Sequence, residues 1–277
     1  LTRLINGLAP SYYPGELTGS IRLNKKEITM LCSWQIGQEI GSVFQDPKSQ
    51  FFSSELEGEV AFACENYGMS KADIQKRTDE AILSFDIEEL RAKALDVLSS
   101  GEKQKVAIAS VYALCPQIYV CDEPTANLDD KGAMQLADTM RKLKDEGSTL
   151  IIAEHRLAWL RGIADRFVYL SEGTIQWEKT ADEMQSVSEG ERCIFGLRET
   201  KETGVSLDVS QRVDKGVCLS VCNLSFKRKK KIIFENLNFS LYDGTITALT
   251  GKNGAGKTSL AMVLTGLWRQ SGGEIWL

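Results

Sequence analysis

Gly251-Lys-Asn-Gly-Ala-Gly-Lys257-Thr258 matches the spacing G-x-x-x-x-G-K-[ST] throughout. It follows an apolar stretch (TITALT) and opens a helix-like one (SLAMVLTGL), the setting in which such a loop binds phosphate. Glycines let successive backbone N–H groups close around phosphate oxygens, and the helix N-terminus adds positive potential. Gly251, Asn253, Gly254, Ala255, Gly256, Lys257, Thr258 and Ser259 are therefore candidate phosphate ligands. Lys257 would reach the terminal phosphates and Thr258 would ligate Mg2+. A second group is Ile118-Tyr-Val-Cys-Asp122-Glu123-Pro124, an apolar strand ending in two acids. That places carboxylates at the edge of a parallel sheet, where ligands bind. Asp122 would hold Mg2+, and Glu123 would orient or deprotonate an attacking water, in chemistry that is mostly positioning and charge stabilisation. Third, Leu98-Ser99-Ser100-Gly101-Glu102-Lys103-Gln104 stands directly before VAIASVYAL. It reads either as an anion site at a helix start or as a plain N-cap on Ser99 or Ser100.

The elements that must position these groups alternate along the chain. Periodicity predicts helices over 57–67, 71–96, 102–115 and 132–146, and a helix around 156–163. Short apolar runs at 117–121 and 149–153 read as buried strands, followed by strands at 166–170 and 173–177. Non-alternating strands between helices imply an α/β fold with a parallel sheet covered on both faces. From 178 to 215 the chain is polar without a persistent period and reads as a linker. β-rich sequence resumes at 217, with VCLSVCNLSF, IIFENLNFSL and TITALTG. The two ends also match each other: Leu1–Leu8 aligns with Leu260–Leu267, and Gly19–Leu23 with Gly273–Leu277.

Composition sets the limits. The 277 residues suggest about 1.8 domains at roughly 150 residues per domain. With 43% hydrophobic and 26% charged residues, a wholly disordered or fibrous chain is excluded. Thirty-three basic against 38 acidic residues disfavour wholesale binding to nucleic acid or anionic membrane. The single histidine, His155, excludes any site that needs two. The seven cysteines contain no CxxC and read as buried, reduced thiols. No stretch approaches the ~18 apolar residues of a spanning helix.

The order of these motifs is informative. A turn Val43-Phe-Gln45-Asp-Pro47 comes first, then LSSGEKQ, the acidic strand, Ala126-Asn-Leu-Asp129, and a strand ending Ile151-Ile-Ala-Glu-His155. This series resembles the nucleotide-binding domain of ATP-binding-cassette (ABC) proteins. FQDPKSQFF, EGEVAFACENYGMS and DEPTANLD look most like the ATPase subunits of energy-coupling-factor (ECF) importers of vitamins and metal ions. The resemblance covers 1–182 and 216–277. It implies a P-loop NTPase fold of ABC type: a mainly parallel sheet covered by helices, a helical subdomain and an antiparallel β subdomain.

By the same resemblance, ATP and Mg2+ are the ligands. Gln45 senses Mg2+ and γ-phosphate, Asp122 holds Mg2+, Glu123 is the catalytic base and His155 the γ-phosphate switch. Ser99, Ser100 and Gly101 form the signature that closes on a nucleotide held by the opposite domain, with Ser100 replacing the usual glycine. Asp129 belongs to the loop linking the two sites. Arg228 stands where the family usually has an aromatic for adenine, so Arg228 or a shifted Phe226 would have to stack on the base. Lys227-Arg-Lys-Lys-Lys231 reads as a solvated turn, and no nucleic acid is expected.

In this family the phosphate loop precedes the other motifs, yet here it lies near the C-terminus. The repeat accounts for this: Leu1 aligns two residues beyond the position of Thr258. The chain is expected to be an interior fragment of a tandem protein. Residues 1–182 would be a first ABC domain lacking its phosphate loop, 183–215 a linker, and 216–277 the start of a second domain. Docking of 216–277 onto 1–182 as a circular permutation is the alternative arrangement. The implied partners are a second ABC domain and integral membrane subunits, a transmembrane coupling protein and a substrate-binding protein, at the cytoplasmic face of the membrane. A soluble tandem protein acting on ribosomes or nucleic acid is the competing reading.

Overall fold

In the computed structural model, residues 1–197, 216–228, 231–251 and 254–277 are described. Contacts divide the chain into two units, Leu1–Thr203 and Gly204–Leu277. The first unit runs α1 (Thr2–Ile5), β1 (Arg22–Leu23), β2 (Lys26–Glu27), α2 (Ser33–Glu39), β3 (Ile40–Val43), α3 (Leu56–Asn66) and α4 (Lys71–Ser84). It continues with α5 (Ser100–Tyr112), β4 (Ile118–Asp122), α6 (Asp130–Asp145), β5 (Thr149–Ala153), β6 (Arg166–Ser171), β7 (Thr174–Thr180), α7 (Ala181–Gln185) and α8 (Glu189–Phe195).

Strands β3, β4 and β5 form a parallel sheet in that order, with Val43 beside Cys121 and Asp122 beside Ala153. The pleat of β4 explains why its sequence does not alternate. Tyr119 and Cys121 enter a core with Leu56, Val60 and Cys64 of α3, Val106 and Ile108 of α5, and Met140 of α6. Val120 and Ile118 enter a second core with Ile5, Ile28, Ile36 and Ile40. Both faces are therefore apolar, as a covered parallel sheet requires. Helix α6 shows the same logic from the other side: Ala133, Leu136, Ala137, Met140 and Leu143 recur at three- and four-residue intervals and are all buried.

Several expectations are corrected. The helix expected over 71–96 stops at Ser84, because Asp86 takes a left-handed backbone (φ +53°). Phe85, Ile87, Leu90, Leu95 and Leu98 still reach the core, but through two 3-10 turns, so apolar spacing persisted where the helix did not. The helix around 156–163 is only the 3-10 turn Ala158–Leu160, followed by Gly162 at φ +73°. Part of the expected linker is ordered structure. Thr180 and Ser188 each form a capping box, with Glu183 and Glu191, that starts α7 and α8. Met184 and Val187 are buried there, and Phe195 packs edge-on against Tyr169 and Trp177 of the antiparallel β6–β7 pair. The rest of that linker, 198–215, lies outside the described residues. The cysteines are free, but only Cys64 and Cys121 are buried. Cys115, for example, belongs to an apolar run that outlasts its helix: α5 ends at Tyr112 and Cys115 sits in the following turn at φ +51°.

The second unit holds β8 (Val217–Arg228), β9 (Lys231–Tyr242), α9 (Lys257–Leu264) and β10 (Gly272–Trp276). Antiparallel β8 pairs with both β9 and β10. Leu260 and Val263 of α9 pack on Val221, Leu224 and Phe226. The strand expected at TITALT is not formed: residues 245–250 pair with no described strand, and Ile246 is fully exposed. The repeat is visible in backbone angles. Helix α1 ends at Asn6 (φ −86°, ψ 7°) and α9 at Thr265 (φ −83°, ψ 1°). The glycines that follow, Gly7 and Gly266, stand at φ +72° and +73°, and the aligned pair Gly19 and Gly273 at +93° and +84°.

Candidate functional site

The carboxyl ends of β3, β4 and β5 deliver the candidate residues to one edge of the sheet. Gln45 lies two residues beyond β3, Asp122 ends β4 with Glu123 next to it, and His155 lies two residues beyond β5. Glu123 departs from the strand with a left-handed backbone (φ +43°), while its N–H still donates to Ala153 O at 2.9 Å. A non-glycine residue held at positive φ stores strain that the surrounding structure must hold in place. Here the flanking parallel ladder and the side-chain contacts do so. Gln45 Nε2 donates to Glu123 Oε2 at 3.0 Å, and His155 Nε2 lies 3.0 Å from Glu123 Oε1. Both carboxylate oxygens are thus engaged, by residues from the two neighbouring strands. His155 is three-quarters exposed, whereas Glu123 is about one-third exposed (32%), so the histidine is the partner open to solvent. Asp122 Oδ2 accepts from Thr2 Oγ1 of α1 at 3.2 Å. Thr2 was not singled out by the sequence, and only its place two residues into the repeated helix could have suggested it.

The remaining residues of this unit occupy helix starts. Ser99 caps α5: its Oγ accepts from the Glu102 N–H at 3.3 Å, and its own N–H donates to Glu102 Oε2 at 2.7 Å. These hydrogen bonds from Ser99 hold the Glu102 carboxyl below the usual carboxylate range. Ser100 takes ordinary helical backbone as the first residue of α5, so its replacement of a glycine imposes no strain. Gly101 faces Leu128. Asp129 caps α6, its Oδ1 accepting from the Gly132 N–H at 2.9 Å. The plain N-cap reading of Ser99 is therefore realised, and it leaves the first N–H groups of α5 at the helix start. Sequence reasoning also missed Glu154 and Arg156, which flank His155 and hydrogen-bond to the turn between Glu123 and α6.

In the second unit the phosphate-type loop is built as its glycines require. Gly251, Gly254 and Gly256 take φ of +146°, +79° and +91°. Gly256 is the N-cap of α9, and a Cβ there would meet Ile233 Cγ2 at 2.9 Å. Lys257 opens the helix, with Nζ donating to Gly251 O at 2.5 Å, so the ammonium bends back over the loop. Thr258 and Ser259 follow in the first turn, and Ala255 Cβ lies 3.7 Å from where a Gly251 Cβ would be. Asn253 lies outside the described residues. Arg228 holds its guanidinium 4.9 Å from the Trp268 ring centroid. The alternative in which Phe226 shifts to meet a base is disfavoured by burial: Phe226 is 7% exposed and stacks on Trp268 at 5.5 Å. Phe226, Arg228, Leu267, Trp268 and Arg269 line a shallow recess.

Among the described residues no group of three or more His, Cys, Asp or Glu side chains could hold a metal ion. No helix is long and apolar enough to cross a membrane, judged on the described residues.

Comparison with known proteins agrees with this geometry. A family model described as ABC transporter matches residues 1–126 and 234–277. A candidate ABC transporter ATP-binding protein of Treponema denticola is 36% identical over 282 residues, covering 99% of this chain and 58% of its own. The candidate HMP/thiamine import ATP-binding protein YkoD of Bacillus subtilis is 30% identical over 305 residues, 100% of this chain and 55% of its own. The chain thus spans a little over half the length of these relatives. Among solved structures, CbiO1 of Clostridium perfringens, part of the ABC transporter complex CbiONQ, superposes with a TM-score of 0.58 at 31% identity. That match covers 68% of this chain and 74% of CbiO1. With the family model matching more than half of its residues, and with Gln45, Asp122, Glu123 and His155 on one edge of a parallel sheet, the chain belongs to the ABC transporter ATPase family.

Proposed function

We propose that the protein containing this chain hydrolyses ATP to drive a membrane importer of a micronutrient, a vitamin or a metal ion, of the ECF type. The observation that carries the catalytic half of this reading is the convergence of Gln45 and His155 on the two oxygens of Glu123. A carboxylate contacted at both oxygens by side chains from the two flanking strands is fixed in orientation at the sheet edge. It can therefore accept a proton from a water at the strand edge. Gln45 fixes one side of that carboxylate. The exposed His155 can exchange Glu123 for a γ-phosphate oxygen while keeping its donor nitrogen.

The residues present fit a Mg2+-nucleotide. The left-handed glycines and the start of α9 leave N–H groups for phosphate, and Lys257 supplies the fixed positive charge. Thr258 for the nucleotide on the Lys257 loop, and Asp122 with Gln45 for the nucleotide at the Glu123 site, are the oxygen ligands proposed for Mg2+, which when bound would neutralise charge on the phosphates. Arg228, held by Trp268, is the proposed base contact. Each ATP would lie between the phosphate loop of one domain and Ser99, Ser100 and Gly101 of another, with Asp129 in the loop joining the two sites.

The tandem arrangement, with domains at 1–182 and 216–277 joined by 183–215, is supported by the matched angles at Gly7 and Gly266 and at Gly19 and Gly273. It is further supported by relatives nearly twice as long as the match. On this reading the Lys257 loop and the Glu123 site serve different nucleotides, so the isolated 277-residue chain turns over Mg2+-ATP poorly. Integral membrane subunits as partners, and a peripheral position at the cytoplasmic face, are proposed from the import and transporter-complex descriptions of YkoD and CbiO1.

The test is purification of the tagged full-length protein from detergent-solubilised cells. Stoichiometric copurification of integral membrane proteins, with ATPase activity lost in Glu123→Gln, is expected. Cosedimentation with ribosomes or nucleic acid and no membrane partner would overturn the importer reading.

A further inference from the structure

The turn that follows Glu123 is tied to the strand end bearing His155 by two side chains that the proposed chemistry does not use. Arg156 Nη1 donates to Leu128 O at 3.1 Å and to Thr125 O at 3.5 Å, and its Nη2 pairs with Asp130 Oδ1 at 2.9 Å. Glu154 Oε1 accepts from Thr125 Oγ1, from Trp159 Nε1 at 3.3 Å and from the Arg156 N–H at 3.4 Å. Thr125 is wholly buried and Leu128 is 9% exposed, so these two are interior anchor points, whereas the Asp130 side chain is 83% exposed. Every side chain from Glu154 to Arg156 thus touches the segment 123–130: Glu154 at Thr125, His155 at Glu123, and Arg156 at Thr125, Leu128 and Asp130. A guanidinium suits this work, because its planar fork serves several acceptors at once while staying charged.

We infer that Glu154 and Arg156 are positioning residues: they lock the turn carrying Asp129 to the strand end carrying His155, so that the two shift as one body. The inference rests on the ATPase reading above. Displacement of His155 toward or away from Glu123 would carry Arg156 with it, and Arg156 pulls on the carbonyls just before Asp129. Without the tether, Glu123 and His155 keep their chemistry but lose their register with the Asp129 turn.

The test is steady-state ATP turnover by the full-length protein in its purified complex, with ATP binding measured separately by filter assay. Arg156→Ala and Glu154→Ala are expected to lower kcat by roughly 10- to 100-fold, the penalty of about 1 Å of misplacement. KM and ATP binding should change by less than about two-fold, because no group that touches the nucleotide is removed. Glu154→Gln, which keeps a carbonyl oxygen for Thr125 and Trp159, should recover most of kcat. Arg156→Lys, whose compact ammonium lacks the planar fork that spans Thr125, Leu128 and Asp130, should recover little. Arg141→Ala, which breaks only a surface pair with Asp138 on α6, should leave turnover unchanged. Wild-type kcat in Arg156→Ala and Glu154→Ala would overturn the inference. So would parallel loss of Tm and of ATP binding, which would mark a purely structural role. If Glu123→Gln retains wild-type turnover in the same assay, the ATPase reading has failed rather than the tether.

Discussion

Alanine at Gly7 and at Gly266 should cost different amounts, although the two backbones are nearly superposable. Both glycines stand in left-handed conformation, φ +72° and +73°, directly after a helix end. Placing an L-residue there costs about 1–2 kcal/mol. Of this, about 0.4–1 kcal/mol is offset by the reduced freedom of the unfolded chain. The net backbone cost is therefore about 1 kcal/mol at each site. The surroundings differ. A Cβ on Gly266 meets nothing within 4 Å, whereas a Cβ on Gly7 would lie 2.5 Å from Ile36 Cδ1. Ile36 is 4% exposed and packed between α2 and the sheet, so its methyl can move only by disturbing that core. Overpacking of this kind adds about 1–3 kcal/mol. Urea denaturation followed by fluorescence should thus show Gly266→Ala lowering stability by about 1 kcal/mol and Gly7→Ala by about 2–4 kcal/mol. Equal losses, or a larger loss at Gly266, would refute the packing argument. A gain in stability at Gly266 would refute the left-handed geometry.

Other outcomes follow from individual contacts. Thr180→Ala and Ser188→Ala each remove a capping box and should cost about 1 kcal/mol locally, read as faster amide exchange in α7 and α8 with the central sheet unaffected. In the native chain Ellman's reagent should modify Cys32, Cys115, Cys193, Cys218 and Cys222 but spare Cys64 and Cys121 until unfolding. Burial pushes the Cys121 thiol up to about 12, so raising the pH to 9 should not expose it to the reagent. Hydrogen bonds from Arg91, and then Gln75, hold the Asp79 carboxyl below its ordinary 3.8. A depressed folded-state value stabilises above the unfolded value and is lost as pH falls through the folded one. Stability should therefore decline below about pH 4 in part through this pair. Because Asp79 is 40% exposed, Arg91→Ala should flatten that decline by no more than about 0.2–1 kcal/mol.

What could be read from sequence and what could not divides along physical lines. The strand at 149–153 and the helices near 57–67, 102–115 and 132–146 were legible because burial on defined faces leaves a period. The glycine loop and the acidic strand end were legible because backbone approach to phosphate and charge at a sheet edge demand particular residue types. The end of α4 was not, since Asp86 adopts its left-handed backbone without a glycine to announce it. The helices at 181–195 leave no apolar period because they run for only five and seven residues, and their signal is the capping boxes T-x-x-E and S-x-x-E that start them. The strand expected at 245–250 shows the converse: a strand depends on partners, which apolar composition does not reveal. At the site, Gln45, Asp122, Glu123 and His155 were read from motif order, and the structure brings them to one sheet edge. Arg156 was invisible because it donates to backbone carbonyls, which every residue type carries, and Glu154 because its donors, Thr125, Trp159 and the Arg156 N–H, share no motif spacing with it.

The most direct test of the account is Mg2+-ATP turnover by the full-length protein carrying Glu123→Gln, beside ATP binding by the same variant. Removal of a general base costs about 100- to 10,000-fold. The account predicts a fall in kcat of that order, with ATP binding retained because Glu123 acts on the attacking water and is not among the groups assigned to hold the phosphates. Turnover within a few-fold of wild type would contradict the assignment of Glu123 at the edge of the parallel sheet as the residue that activates water.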